Sequence, residues 1–246
     1  KVKNDYKIEE FPTFEKLFET KNGKFVHKEF VKIFFETIIG RREYCSKITN
    51  KINTVSPFNN EGLEGKINHS LVVMPRVESV KAAIRLLNSM NIPDFEFIDG
   101  AGTDGISDIS KVKYIIQNAK HKRKKTMTFV CKRFREGVTV PNWSAVFLFD
   151  DGKSFNEYMQ TIFRVQSYDE NKPFCYVFDY CPERCLTMRY NHIHYNRKDR
   201  HTVSDMKKKL YFLACGDADF LFEGSKTLDK TLTEQGLDHE FFVRVL

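Results

Sequence analysis

The chain lacks several things, and each absence narrows what it can be. None of its 246 residues falls in a run approaching 18 consecutive apolar positions, so a membrane-spanning helix is not expected. It has no initiator methionine and no charged-then-apolar-then-small leader, so it reads as a mature or excised segment and not a secretory precursor. There is no internal repeat and no low-complexity tract, which sets repeat arrays aside. The six cysteines, at 45, 131, 175, 181, 185 and 215, are scattered and partly inside apolar runs. That pattern suggests reduced thiols in a cytoplasmic protein, not a disulfide framework.

What is present suffices for a substantial core: 41% hydrophobic residues, 14% aromatic, with 23 phenylalanines. Forty basic residues against 33 acidic give a formal net charge of +7, compatible with a polyanionic partner but not proof of one.

Residues 1–66 read as a helical and linker segment. "HKEFVKIFFETII" places Phe30, Ile33, Phe34, Thr37 and Ile38 at helical spacing, and "NTVSPFNNEGLEG" has loop composition. From 67 to 181 the rhythm changes. Apolar strands are expected at 70–75, 95–99, 126–131, 144–150 and 173–180, with amphipathic helices at 77–90, 107–119 and 154–165 between them. Ser154 and Glu157 have capping-box spacing at the start of the last helix. This alternation predicts βαβ units and an α/β parallel sheet sandwiched by helices. Ligands in such sheets sit beyond the carboxyl ends of strands, which singles out "MPRVES", "DGAGTDG", "CKRFREGVTVP" and "DDGKSFNEYMQTIFR". Residues 182–246 are expected to form a C-terminal helical extension.

Four constellations could carry chemistry. "GAGTDG" (100–105) matches a dinucleotide-binding turn, but Asp104 puts negative charge where pyrophosphate would lie, and "KHKRKK" stands where the acidic ribose ligand is expected. "KHKRKK" (120–125) ends a helix, where cations suit the dipole whether or not they touch phosphate. Cys181, Cys185, His192 and His194 invite a zinc reading, although structural thiols explain the pair as well, and no metal site is assigned. In the fourth, Arg133 and Arg135 flank a turn at Gly137, Pro141 stiffens its exit, and a strand leads to a helix with Gln160 and Arg164 at i, i+4. Gln160 and Arg164 could present an amide and a guanidinium to one phosphoryl group. Spacing alone equally allows Arg164 to pair with a carboxylate such as Glu157 or Asp169.

The order of "HSLVVMPRVESVKAAIRLLN", "KRFREGVTVPNWSAVFLFDD" and "EYMQTIFRVQS" resembles motifs IV, V and VI of superfamily-two DEAD/DEAH helicases, above all restriction-type (type III subunit-like) and phage relatives. The resemblance covers roughly 67–181. It implies the second RecA-like lobe of an ATP-dependent DNA helicase or translocase, with RNA as the alternative substrate. Arg164 and Gln160 would act at the γ-phosphate of ATP. Gly137 and Thr139 would lie near the nucleotide, and Pro75, Arg76, Arg133 and Arg135 near the nucleic-acid backbone. Phe163 stands where the motif usually has glycine, Ser167 where it has a second arginine, and Thr139 where aspartate is frequent. No G-x-x-x-x-G-K-[ST] and no Asp-Glu box occurs, so Mg²⁺ and most of the ATP site would belong to a first lobe elsewhere in the polypeptide. The chain alone is then expected to be inactive as an ATPase. A nucleotide-cofactor domain using "GAGTDG" and a non-enzymatic nucleic-acid-binding module are the alternatives.

Overall fold

The computed structural model describes residues 13–41, 44–45, 52–53, 56–59, 63, 65–101, 108–131, 138–170, 172, 174–181, 184–185, 187–188, 211–216 and 239–244. In chain order these form α1 (Phe14–Leu17), β1 (Thr20–Lys21), β2 (Lys24–Phe25), α2 (Lys28–Ile39), β3 (Tyr44–Cys45), β4 (Ile52–Asn53), β5 (His69–Val73), α3 (Val77–Ser89), β6 (Phe95–Asp99), α4 (Ile109–His121), β7 (Lys125–Val130), β8 (Ala145–Leu148), α5 (Phe155–Phe163), β9 (Tyr176–Asp179), β10 (Tyr211–Gly216) and β11 (His239–Arg244). β1–β2 and β3–β4 are small antiparallel pairs.

The remaining strands make one sheet in the order β11-β10-β9-β8-β5-β7-β6, and every neighbouring pair is parallel. The segment from β5 to β9 is the α/β parallel unit that the alternating pattern predicts, consistent with the RecA-like fold that the resemblance implies. The chain passes from β5 through α3 to β6 on one side, then returns through β7 to β8 on the other. The direction therefore reverses around β5, making this the switch point of the sheet.

Because the crossovers are right-handed, the reversal puts the helices on opposite faces. Side chains alternate accordingly along each strand. Val72, Met127, Phe129, Phe147 and Phe178 face one core with α2 and α3, while Leu71, Val73, Val130, Val146 and Leu148 face the other with α4 and α5. The first core is built of phenylalanine: Phe34, Phe35 and Phe149 contact one another, and Phe147 stacks on Phe178 at 4.7 Å. The second is aliphatic around the fully buried Trp143, whose indole N–H donates to Thr128 Oγ1 at 3.3 Å.

Two differences from the sequence reading stand out. Among the described residues before 67, Phe18, Phe25, Phe35 and Ile38 are buried in the phenylalanine core. α2 ends at Gly40, whose φ of 85° is left-handed, and Asn59 Nδ2 donates to its carbonyl at 3.1 Å. Within 182–246, expected to be helical, "YFLACG" and "HEFFVR" are strands that extend the parallel sheet beyond β9. They are short aromatic-rich runs, which suit a pleated surface, and their parallel partners are distant in sequence, so no local turn signal marks them.

Candidate functional site

α5 starts at the carboxyl end of β8, where Ser154 Oγ accepts from Glu157 N at 3.4 Å, the forward half of the expected capping box. A crossover helix between parallel strands runs back along the sheet. Nine residues at 1.5 Å each carry the chain about 13 Å towards the amino ends. Arg164 caps the last turn of α5 and opens a short 3-10 turn, Arg164–Gln166. It therefore lies at the far end of α5 from the strand tips that the sequence singles out.

The Arg164 guanidinium donates through Nε to the Gln160 carbonyl at 3.1 Å and through Nη1 to the Val138 carbonyl at 2.7 Å. The second bond ties the helix end to the segment that follows Gly137. Gln160 and Thr139 are exposed, and Arg164 is half-buried. These hydrogen bonds orient the guanidinium without cancelling its charge, because a carbonyl is a dipole and not an anion. Arg133, Arg135 and Gly137 lie outside the described residues, as do His192, His194 and most of "GAGTDG".

A second cation joins the same two segments. Lys172 Nζ donates to the carbonyls of Pro141 at 2.6 Å, Trp143 at 3.1 Å and Ser167 at 2.5 Å. Burial pushes its pKa below the ordinary lysine value, against the pull of Cys175 and Asp169. Asn142 Nδ2 donates to Asp169 Oδ2 at 3.2 Å. Beside them His69, buried at the start of β5, hydrogen-bonds Thr126 Oγ1 through Nδ1 at 3.1 Å. Burial lowers its pKa to about 4, helped by nearby Lys120 and opposed by Asp169.

The carboxyl end of the sheet is arranged differently. Arg76, at the N-cap of α3 after β5, donates through Nε and Nη2 to Glu15 Oε1 at 3.0 and 2.7 Å. Hydrogen bonding to Glu15 holds its pKa above the ordinary value. Pro75 precedes it and accepts at its carbonyl from Cys131 Sγ at 3.4 Å. Asp151 accepts from the backbone N–H groups of Phe14 and Glu15 at 3.1 and 2.9 Å, clamping the start of α1 next to β8. The structure thus places Pro75 and Arg76 with α1, apart from Arg164 and Gln160.

One buried cluster there was not read from the sequence. Arg184 donates to both carboxylate oxygens of Asp179, the shortest contact being 2.7 Å, and to Asp150 Oδ1 at 2.8 Å. Its Nη1 also reaches the Asp150 carbonyl. Burial works against this charge, but Asp179 and Asp150 outweigh it and raise the pKa. The available signal was a carboxylate at the ends of two strands that prove adjacent, β8 ("FLFDD") and β9 ("VFD"). Two such carboxylates need a cation once buried.

The remaining candidates fare unevenly. The N-terminus of α4 begins after Asp108, whose carboxylate accepts from Ser110 N at 2.8 Å. A carboxylate therefore holds the position where a pyrophosphate would bind, and the preceding strand, β6, is the sheet edge and not the switch point. Lys120, His121, Lys122 and Arg123 are exposed around the end of α4. Lys125 lies over the Phe58 and Phe95 rings at 5.5 and 5.6 Å. Cys131, Cys175, Cys181 and Cys185 are free thiols, and burial raises the pKa of Cys181 and Cys185, which disfavours the thiolates that zinc requires. Among the described residues no cluster of His, Cys, Asp or Glu could hold a metal, and no helix is long and apolar enough to cross a membrane.

No family model matches the chain. It is 29% identical over 218 residues to a Mycoplasma pneumoniae protein named "Putative type II restriction enzyme and methyltransferase RM.MpnORF110P C-terminus". The alignment covers 79% of this chain and 28% of that relative, so the chain spans less than a third of the relative's length.

Proposed function

We propose that this chain is the second RecA-like lobe of an ATP-dependent DNA helicase or translocase that serves a restriction–modification enzyme. Arg164 supplies positive charge to the γ-phosphate of ATP held mainly by a first lobe, with Gln160 beside it. The loops after β5 and β7, with Pro75, Arg76, Arg133 and Arg135, grip the nucleic-acid backbone, and Gly137 and Thr139 lie towards the nucleotide. Lobe closure on ATP and reopening after hydrolysis would shift that grip along DNA.

The observation that carries this reading is the bond from Arg164 to the Val138 carbonyl. It joins the segments resembling motifs V and VI and fixes the position of the guanidinium. The name of the Mycoplasma relative supports the restriction–modification setting. The carboxylate at the start of α4 counts against the dinucleotide alternative.

The test is ATP turnover by the longer polypeptide that contains both lobes. Arg164→Ala should cut DNA-stimulated turnover by about 10³-fold, the scale of an arginine finger. Turnover within a few-fold of the parent would sink the assignment and favour a non-enzymatic nucleic-acid-binding module. The 246-residue chain by itself should hydrolyse no ATP above background, since the phosphate-loop lysine and the Mg²⁺ ligands are not among its motifs.

A further inference from the structure

The segment 138–143 leads out of the loop that carries Arg133, Arg135 and Gly137 and into β8. Almost every residue in it is held. Val138 and Pro141 give their carbonyls to Arg164 and Lys172, Val140 is buried, Asn142 binds Asp169, and Trp143 is buried with its carbonyl on Lys172. Every one of those partners comes from 164–172, the turn that begins with Arg164. Lys172 also binds within its own segment: the same ammonium reaches the Ser167 carbonyl, and Ser167 Oγ in turn donates to the Arg164 carbonyl at 3.5 Å.

An ammonium has three protons and no acceptor. Here each proton is used on a different carbonyl, two on one segment and one on the other. An uncharged amide side chain offers two N–H protons, one fewer than these three carbonyls take up. Removing the charge leaves three partly buried acceptors facing each other, which costs more than the loss of one ordinary hydrogen bond.

We propose that Lys172 is a positioning residue that makes the exit of the β7–β8 loop and the Arg164 turn move as one body. A shift of the loop on nucleic acid would then be delivered to the guanidinium at the phosphate. The coupling rests on the reading of Arg164 as a phosphate-contacting arginine, whereas the clamp itself does not. In this role Lys172 acts through the backbone it holds and through Arg164.

The experiment has two arms, with Lys172→Met removing the cation at similar length and Lys172→Arg restoring it. In the 246-residue chain, amide hydrogen exchange should rise about tenfold or more in 138–144 and in 164–170 together in Lys172→Met, return towards the parent in Lys172→Arg, and stay unchanged in α3. Loosening of only one segment, or of neither, overturns the clamp. If Lys172→Met does not fold, the same comparison is made with Asn142→Ala, which cuts a separate tie between the two segments and should loosen both more weakly.

In the two-lobe polypeptide, Lys172→Met should lower the kcat for DNA-stimulated ATP turnover about tenfold with KM for ATP nearly unchanged, and Lys172→Arg should recover most of it. A purely structural lysine would reduce the amount of folded enzyme, and not kcat per active site. Unchanged kcat per active site in Lys172→Met overturns the coupling. If the parent itself shows no ATP turnover while the exchange arm holds, the helicase reading fails and the clamp stands.

Discussion

The two ends of the parallel sheet hold their cations in opposite ways. At the carboxyl end, Arg184 is buried against Asp179 and Asp150, and Arg76 lies on Glu15. At the amino end, Arg164 and Lys172 donate to backbone carbonyls. Carboxylates neutralise a cation, and carbonyls only aim it. The carboxyl end therefore ties its cations to carboxylates, while the amino end uses cations to draw two stretches of backbone together. On the proposed reading, the second arrangement would preorganise Arg164 for a phosphoryl group.

The largest break in this comparison should come from Arg184. Arg184→Met leaves two carboxylates without their cation at the ends of β8 and β9, and should cost about 3–5 kcal/mol. Urea unfolding would measure it. The double change Arg184→Met with Asp179→Leu should recover much of the loss, since a buried ion pair is worth little against an apolar replacement. If the single change is tolerated within about 1 kcal/mol, the cluster is not the staple its geometry indicates.

His69 sharpens the other end. It is neutral in the fold with a pKa of about 4, but has the ordinary value near 6.5 once unfolded. Between those values the unfolded chain binds the extra proton, so the stabilisation is present above pH 6.5 and is lost as pH falls towards 4. The loss is on the order of 3 kcal/mol at about 1.4 kcal/mol per pH unit. His69→Gln should flatten the pH dependence of unfolding in that window relative to the parent, and an unchanged slope would rule out His69 as its source.

Arg164→Met should cost stability less than Arg184→Met, about 1–2 kcal/mol for two hydrogen bonds to carbonyls. In the proposed enzyme it nonetheless removes most of the turnover. Equal stability losses for the two arginines, measured by the same unfolding curve, would erase the contrast between the ends. The smallest effect belongs to Glu15→Gln. Its pair with Arg76 is exposed on both sides, so the melting temperature should hardly move and any change should vanish with added salt.

Much of the central unit was legible. Val77, Val80, Leu87 and their neighbours recur at helical spacing, and α3 runs Val77–Ser89. "FEFID" is β6 residue for residue. These elements declare themselves because each buries one stripe or both faces, and burial writes a period into the sequence. β10 and β11 were misread because a parallel strand pairs with a partner far away in the chain, so nothing local records the pairing. The candidate site was legible only in part. Gln160 and Arg164 at i, i+4 could be read off, but the reach of Arg164 to Val138 could not, nor could the three carbonyls gathered on Lys172.

The sequence by itself determined the class of fold, the order of strands and helices in the central unit, and the positions where charged residues interrupt the apolar runs. Those follow from solvent partitioning, which acts residue by residue along the chain. The tertiary structure decided which charge meets which partner. Spacing and motif order single out Arg164, but the letters settle the partner of neither Arg164 nor Arg184. Only the sheet order, which brings Asp150 and Asp179 side by side at one end and turns carbonyls towards 164–172 at the other, makes one a buried counter-ion and the other a tie between two backbone segments.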